Sequence, residues 1–93
     1  MDYDKYKVAS YILVSENRSK VYFYLVENEI GMPVFIANEV GIRKNHISKF
    51  LSELKKENIV ECINPEAHKG RLYRLTNYGI EVKPFVEKIK NRN

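Results

Sequence analysis

A chain of 93 residues, 44% hydrophobic and 30% charged, has the composition of one soluble globular unit, and residues 1–93 are read as a single domain. It is too short for a doubly wound cofactor-binding sheet or an eight-stranded barrel. Sixteen Lys and Arg against twelve Asp and Glu give a net charge of +4 and a pI near 9.2, a balance that points toward an anionic partner.

The first helix is predicted over Asp4–Val14, where Val8, Tyr11 and Ile12 recur at helical spacing. Ser15 is placed to cap a second helix, with Glu16 in its first turn and Val21, Tyr24 and Leu25 as its apolar stripe. Asn28-Glu29-Ile30-Gly31 interrupts the pattern, and Pro33 opens a short helix, Pro33–Val40, that stops at Gly41. The next helix, about Lys44–Asn58, gathers Ile47, Phe50, Leu51 and Leu54 on one face. The period then changes. Ile59–Ile63 and Arg71–Leu75 read as strands joined by a turn-rich loop, and Thr76 is placed to cap a last helix over about 77–90. Gly79 and Pro84 are the weak points of that helix.

The informative joint is Ile36-Ala37-x-x-x-Gly41-Ile42, followed by Ile47 and Leu51. Two helices crossing steeply need a small residue where their axes approach and a residue tolerant of positive φ at the turn; Ala37 and Gly41 supply these. An ordinary helical hairpin would show the same two residues. The following basic helix and hairpin favour a helix-turn-helix.

In the helix after Gly41, the side opposite the apolar stripe carries Asn45, Lys49, Ser52 and Lys56, flanked by Lys44, His46 and Ser48. Asn suits adenine edges, Lys suits guanine or phosphate, and Ser suits either, so this face has the chemistry of a major-groove reader. The candidate contacts are Arg43, Lys44, Asn45, His46, Ser48, Lys49 and Ser52; Lys55 and Lys56 read as solvated charge. The hairpin adds His68, Lys69, Arg71 and Arg74, with no acid between positions 67 and 80. Strand alternation puts Arg71, Tyr73 and Leu75 on one face, with Arg71 where the strand leaves the core. A basic tip of this kind suits phosphate or minor-groove contact, or else only keeps the loop soluble.

The run from Ile36 through Gly41-Ile42, His46-Ile47-Ser48-Lys49-Phe50-Leu51 and Ile59-Val60-Glu61-Cys62 to Gly70-Arg71-Leu72-Tyr73-Arg74-Leu75-Thr76 resembles winged-helix transcriptional regulators of archaea, small MarR/ArsR-like domains. The likeness covers about residues 15–82, and its most specific part is Gly70–Thr76. It implies an α+β, mainly α fold: a winged helix-turn-helix with a three-helix core, a β-hairpin wing at 64–74, a recognition helix at about 44–57, and a dimer. The chain departs from the pattern at two helix starts, where Met32 and Arg43 stand in place of Ser or Thr caps. It departs also at Val34-Phe35, which such proteins usually make polar; an exposed Phe35 would mark a partner surface, and the expectation is that it is covered by the N-terminal segment or that its helix is rotated.

Tyr78, Val82, Phe85 and Ile89 form an apolar seam, and with Tyr3, Tyr6 and Tyr11 they offer more apolar surface than a small core needs. The expectation is a homodimer through the terminal helices, about 4–14 and about 77–90, reading a pseudo-palindromic duplex. A monomer whose last helix packs on its own first helix is the alternative. The other charge and cysteine signals are exclusions. The N-terminus lacks the cationic start and apolar core of a signal peptide, and no run approaches 18 apolar residues, so the expectation is a cytoplasmic location without membrane contact. The single Cys62 reads as a small buried apolar residue, with redox sensing as the alternative. With only His46 and His68 besides, no metal, cofactor or catalytic constellation is expected, and the chain is not read as an enzyme.

These readings lead to a sequence-specific regulator of double-stranded DNA, with a protein-interaction module as the alternative and RNA binding third. The charge is polarised along the chain. Residues 1–42 hold four basic and six acidic residues, residues 43–74 hold eight and four, and residues 75–93 hold four and two.

Overall fold

The computed structural model describes residues 2–92. Helix α1 runs over Asp2–Val14, α2 over Glu16–Glu27, α3 over Pro33–Val40 and α4 over Lys44–Lys56. Strands β1 (Val60–Cys62) and β2 (Tyr73–Leu75) follow, then helices α5 (Asn77–Glu81) and α6 (Lys83–Lys90). Ser15 caps α2 as expected, its hydroxyl accepting from the Arg18 N–H at 3.2 Å.

The corner between α3 and α4 turns on Gly41, whose φ of +77° closes α3 with its N–H on the Ala37 carbonyl at 3.0 Å. A Cβ at Gly41 would touch nothing, so the glycine answers the dihedral angle and not a steric need. Beyond the corner, Ile47, Phe50, Leu51 and Leu54 are all buried, and the apolar stripe of α4 seats on α2 and α3. Ala9, Ile12, Val21, Tyr22, Leu25, Ile36, Ile59, Val60, Val82 and Val86 join the same cluster.

β1 and β2 pair antiparallel, with Val60 opposite Leu75 and Cys62 opposite Tyr73. Gly31 adds an isolated bridge to Tyr73, its N–H and carbonyl both bonded to that residue at 2.9 Å. The stretch that reads in sequence as a mere interruption is therefore the third rung of the wing's base. The order is three helices, a bridged hairpin and helical additions at both ends, a winged helix-turn-helix.

Several expectations are corrected. The strands are shorter than Ile59–Ile63 and Arg71–Leu75, and Arg71 lies in the loop, not on a strand face. The last helix is not continuous over 77–90. Pro84 has no N–H and its ring would meet the carbonyl of Ile80, so the chain ends α5, turns at Val82 and restarts. Phe35 is not covered: it keeps 59% of its surface exposed, because Ile36 and Ala37 take the inner side of α3. Cys62 is only partly buried, and its thiol faces the Asn64 side chain at 3.5 Å.

Candidate nucleic-acid interface

The outer side of α4 is built by burial of its inner side. With Ile47, Phe50, Leu51 and Leu54 locked into the core, the 3.6-residue period leaves Lys44, Asn45, His46, Ser48, Lys49 and Ser52 exposed, and Arg43 with them. All seven residues singled out from the sequence, Arg43 at the cap and six within the helix, are therefore exposed. Arg43 occupies the cap position of α4 without a side-chain cap bond. It is exposed at a helix start whose free N–H groups favour an anion.

The acid on this helix is turned inward. Glu53 accepts from Arg18 at 3.1 Å, and Arg18 itself is largely buried, donating through Nε and Nη2 to the Tyr11 carbonyl and stacking over the Tyr11 ring at 3.8 Å. One arginine thus joins α1, α2 and α4 and spends the negative charge of α4 internally. Sequence reasoning missed both residues, since a lone Arg and a lone Glu 35 positions apart carry no local pattern.

The four wing residues divide into two pairs. His68 and Lys69 lie exposed at the tip. Arg71 folds back over the loop, its Nε donating to the Ala67 carbonyl at 2.9 Å and its Nη2 to the Pro65 carbonyl at 3.1 Å. Arg74 pairs across the hairpin with Glu61 at 2.8 Å, both side chains about half exposed. The Met32 side chain at the head of α3 lies beside Gly70, so the start of α3 adjoins the wing tip.

The seam Tyr78, Val82, Phe85 and Ile89 is turned onto the chain's own α1. Val82 is fully buried, and Phe85 meets Tyr6 edge-on at 4.8 Å between ring centroids. Tyr78, Phe85 and Ile89 are half-buried against the core. The restart at Val82 sets this phase, aiming Val82 and Val86 inward. The apolar residues left exposed are others: Tyr3, Val14, Ile30, Phe35 and Ile80 among the described residues.

Two tyrosines hold their protons unusually tightly. Burial, then the charge of Glu87, raises the Tyr22 phenol far above its ordinary range. Burial, then Asp4, Glu57 and Glu81, raises Tyr78. Neither belongs to the exposed side of α4. No group of three or more metal-ligating side chains comes together among the described residues, and none of their helices is long and apolar enough to cross a membrane.

No protein-family model and no curated protein matches the sequence. Solved structures do. The Zalpha domain of Carassius auratus PKZ, in complex with Z-DNA, is 26% identical with a TM-score of 0.56, over 62% of this chain and 89% of that one. The MarR family transcription regulator SP03579 is 16% identical with a TM-score of 0.74, over 96% of this chain and 60% of its own. The MarR family regulator SPO1453 from Silicibacter pomeroyi is 15% identical with a TM-score of 0.68, over 97% and 67%. The chain thus spans about two thirds of the length of these regulators, and what it shares with them is the winged-helix fold.

Proposed function

We propose that this chain is a transcription regulator that binds double-stranded DNA, with α4 in the major groove and the wing on the sugar-phosphate backbone or minor groove. The observation that carries the reading is the outer side of α4. Arg43, Lys44, Asn45 and Lys49 stand there in the open while Glu53 is neutralised from within by Arg18. The likeness to a domain solved with DNA and to MarR family regulators supports it. In this reading Asn45 and Lys49 meet base edges, Arg43 and Lys44 meet phosphate near the helix start, and His46, Ser48 and Ser52 fill the flanks. His68 and Lys69 reach the backbone from the wing tip, and Arg71 and Arg74 add to its positive field.

The protein acts as a homodimer in this proposal, on half-sites about 34 Å apart. Because the seam of α6 is spent on α1, the dimer contact falls to the outer surfaces of the terminal helices, where Tyr3 and Val14 are exposed. Equilibrium sedimentation at tens of micromolar should show twice the 11.0 kDa chain mass; a sole 11.0 kDa species removes the dimer.

Fluorescence-anisotropy titrations against a selected duplex test the contact map. Asn45→Ala and Lys49→Ala should each cost about 1–3 kcal/mol on the selected sequence and narrow the gap to random duplexes. Lys69→Ala should weaken all sequences alike and flatten the salt slope by about 1. Unchanged affinity in all three variants would overturn the binding mode. The exposed Phe35 favours a second reading, a protein-interaction module, and weak, salt-insensitive DNA binding would bring it forward.

A further inference from the structure

The loop between the strands, residues 63–72, is exposed over most of its length, with the Met32 side chain beside Gly70 at its tip. Such loops are ordinarily among the most mobile parts of a fold. This one is cross-braced by two polar side chains. Where the strand ladder ends, with the Ile63 N–H on the Leu72 carbonyl at 2.9 Å, Asn64 takes over. Its Oδ1 accepts from the Leu72 N–H at 2.8 Å, its Nδ2 donates to the Gly70 carbonyl at 3.1 Å, and its own carbonyl accepts from the Ala67 N–H at 3.0 Å. Arg71 closes the other side through its bonds to the Ala67 and Pro65 carbonyls. The exposed side chains of this frame include His68 and Lys69, neither of which has an ion-pair partner among the described residues.

Exposed bonds of this kind add little to global stability, about 1 kcal/mol or less each. What four of them in one loop do achieve is to fix the direction of its tip. A guanidinium that spans two carbonyls through Nε and Nη2 has committed its side edge, so a phosphate could meet only the remaining Nη1/Nη2 end, and only without moving the loop that the side edge holds. We infer that Asn64 and Arg71 are positioning residues of the wing: they order the loop before nucleic acid arrives, and Arg71 is a strut for Lys69 instead of a phosphate contact. The inference rests on the functional reading above, that the wing meets the DNA backbone. A pre-ordered wing spares the ordering entropy that a floppy loop would lose on binding.

The experiment compares the full chain with Asn64→Ala, Arg71→Lys, Arg71→Gln, Lys69→Ala and the Asn64→Ala/Lys69→Ala double variant. Affinity for one duplex is measured over a salt series, with thermal melts to verify folding and backbone 15N relaxation of residues 66–71 in the free protein. Asn64→Ala and Arg71→Lys should each weaken binding by about three- to tenfold, the cost of ordering a few loop groups on binding. Both should leave the salt slope as in the parent chain, because the wing still reaches the backbone once ordered, whereas Lys69→Ala flattens it by about 1. In the Lys69→Ala background, Asn64→Ala should cost less than about twofold more, since the ordered tip has lost its purpose. The loop amides of Asn64→Ala should gain fast motion in the free protein.

The positioning role falls if Asn64→Ala binds as tightly as the parent, or if its cost is the same in both backgrounds. It falls also if Arg71→Lys is silent while Arg71→Gln flattens the slope by about 1, the signature of a direct phosphate contact. If the parent chain shows no salt-sensitive duplex binding at all, the functional reading falls and the inference with it.

Discussion

Tyr22 is fully buried, and its hydroxyl donates to the Gly79 carbonyl at 2.8 Å, joining α2 to a helix 57 positions away. Gly79 can come this close because it has no side chain: a Cβ there would sit on the Ile59 carbonyl oxygen. Thr76 completes the corner. Its hydroxyl donates to the Asn58 carbonyl at 2.6 Å while accepting from the Gly79 N–H at 2.9 Å. Replacing Tyr22 with Phe leaves the Gly79 oxygen buried without a donor, and urea unfolding should show a loss of about 1–3 kcal/mol. The pH dependence has a definite sign. The folded state holds the Tyr22 proton well above the ordinary phenol value of 10.0, and the unfolded chain releases it there. Stability from this group is therefore intact below about pH 10 and declines as pH rises past it toward the folded value. Tyr22→Phe should flatten that alkaline decline, and Tyr78, shifted in the same direction, should retain a smaller part of it.

At the scale of the element, the setting of α4 depends on a residue outside it. Arg18 reaches from α2 to Tyr11 on α1 and to Glu53 on α4. Removing it as Arg18→Ala should destabilise the fold by about 1–3 kcal/mol, less than for a fully sealed pair because Arg18 and Glu53 keep 13% and 27% of their side-chain surface in water. Hydrogen exchange of α4 amides should rise in that variant more than that of α3 amides. Much of the helical order was legible beforehand because its signals are local. Pro33 and Gly41 bound α3, and the Ile47–Leu54 stripe defines the inner face of α4. Pro84 was legible as a weak point, but which way the restarted α6 would face was not, since that depends on α1. The Gly31–Tyr73 bridge and the Arg18–Glu53 pair carry no local pattern at all, and Phe35 is exposed because the inner side of α3 goes to Ile36 and Ala37. Of the candidate interface, the exposed side of α4 follows from periodicity alone. The internal engagement of Arg71 follows from the loop's own fold, which alternation cannot foresee, and that of Arg74 from the strand register that sets it opposite Glu61.

For the whole molecule the decisive quantity is where charge is placed. The stretch from Arg43 to Arg74 carries the positive excess, while the preceding scaffold is slightly acidic. If Arg43, Lys44 and Lys69 each displace a counterion, the logarithmic salt slope should lie near −3 per chain, and each chain's share of the affinity should fall roughly fortyfold between about 50 and about 200 mM salt. A slope near zero would separate the basic surface from any duplex. This measurement needs no knowledge of the preferred sequence, so it comes first.

The packing of α1 against α6 also has a temporal side. On a ribosome the chain grows from α1 toward α6 at about 5–20 residues per second. The apolar side of α1, including Ala9 and Ile12, emerges seconds before Val82 and Val86 exist to cover it. Until then the three-helix core and wing can assemble, but the first helix waits with part of its face open. The face that α6 covers in the finished fold is thus the last to be closed.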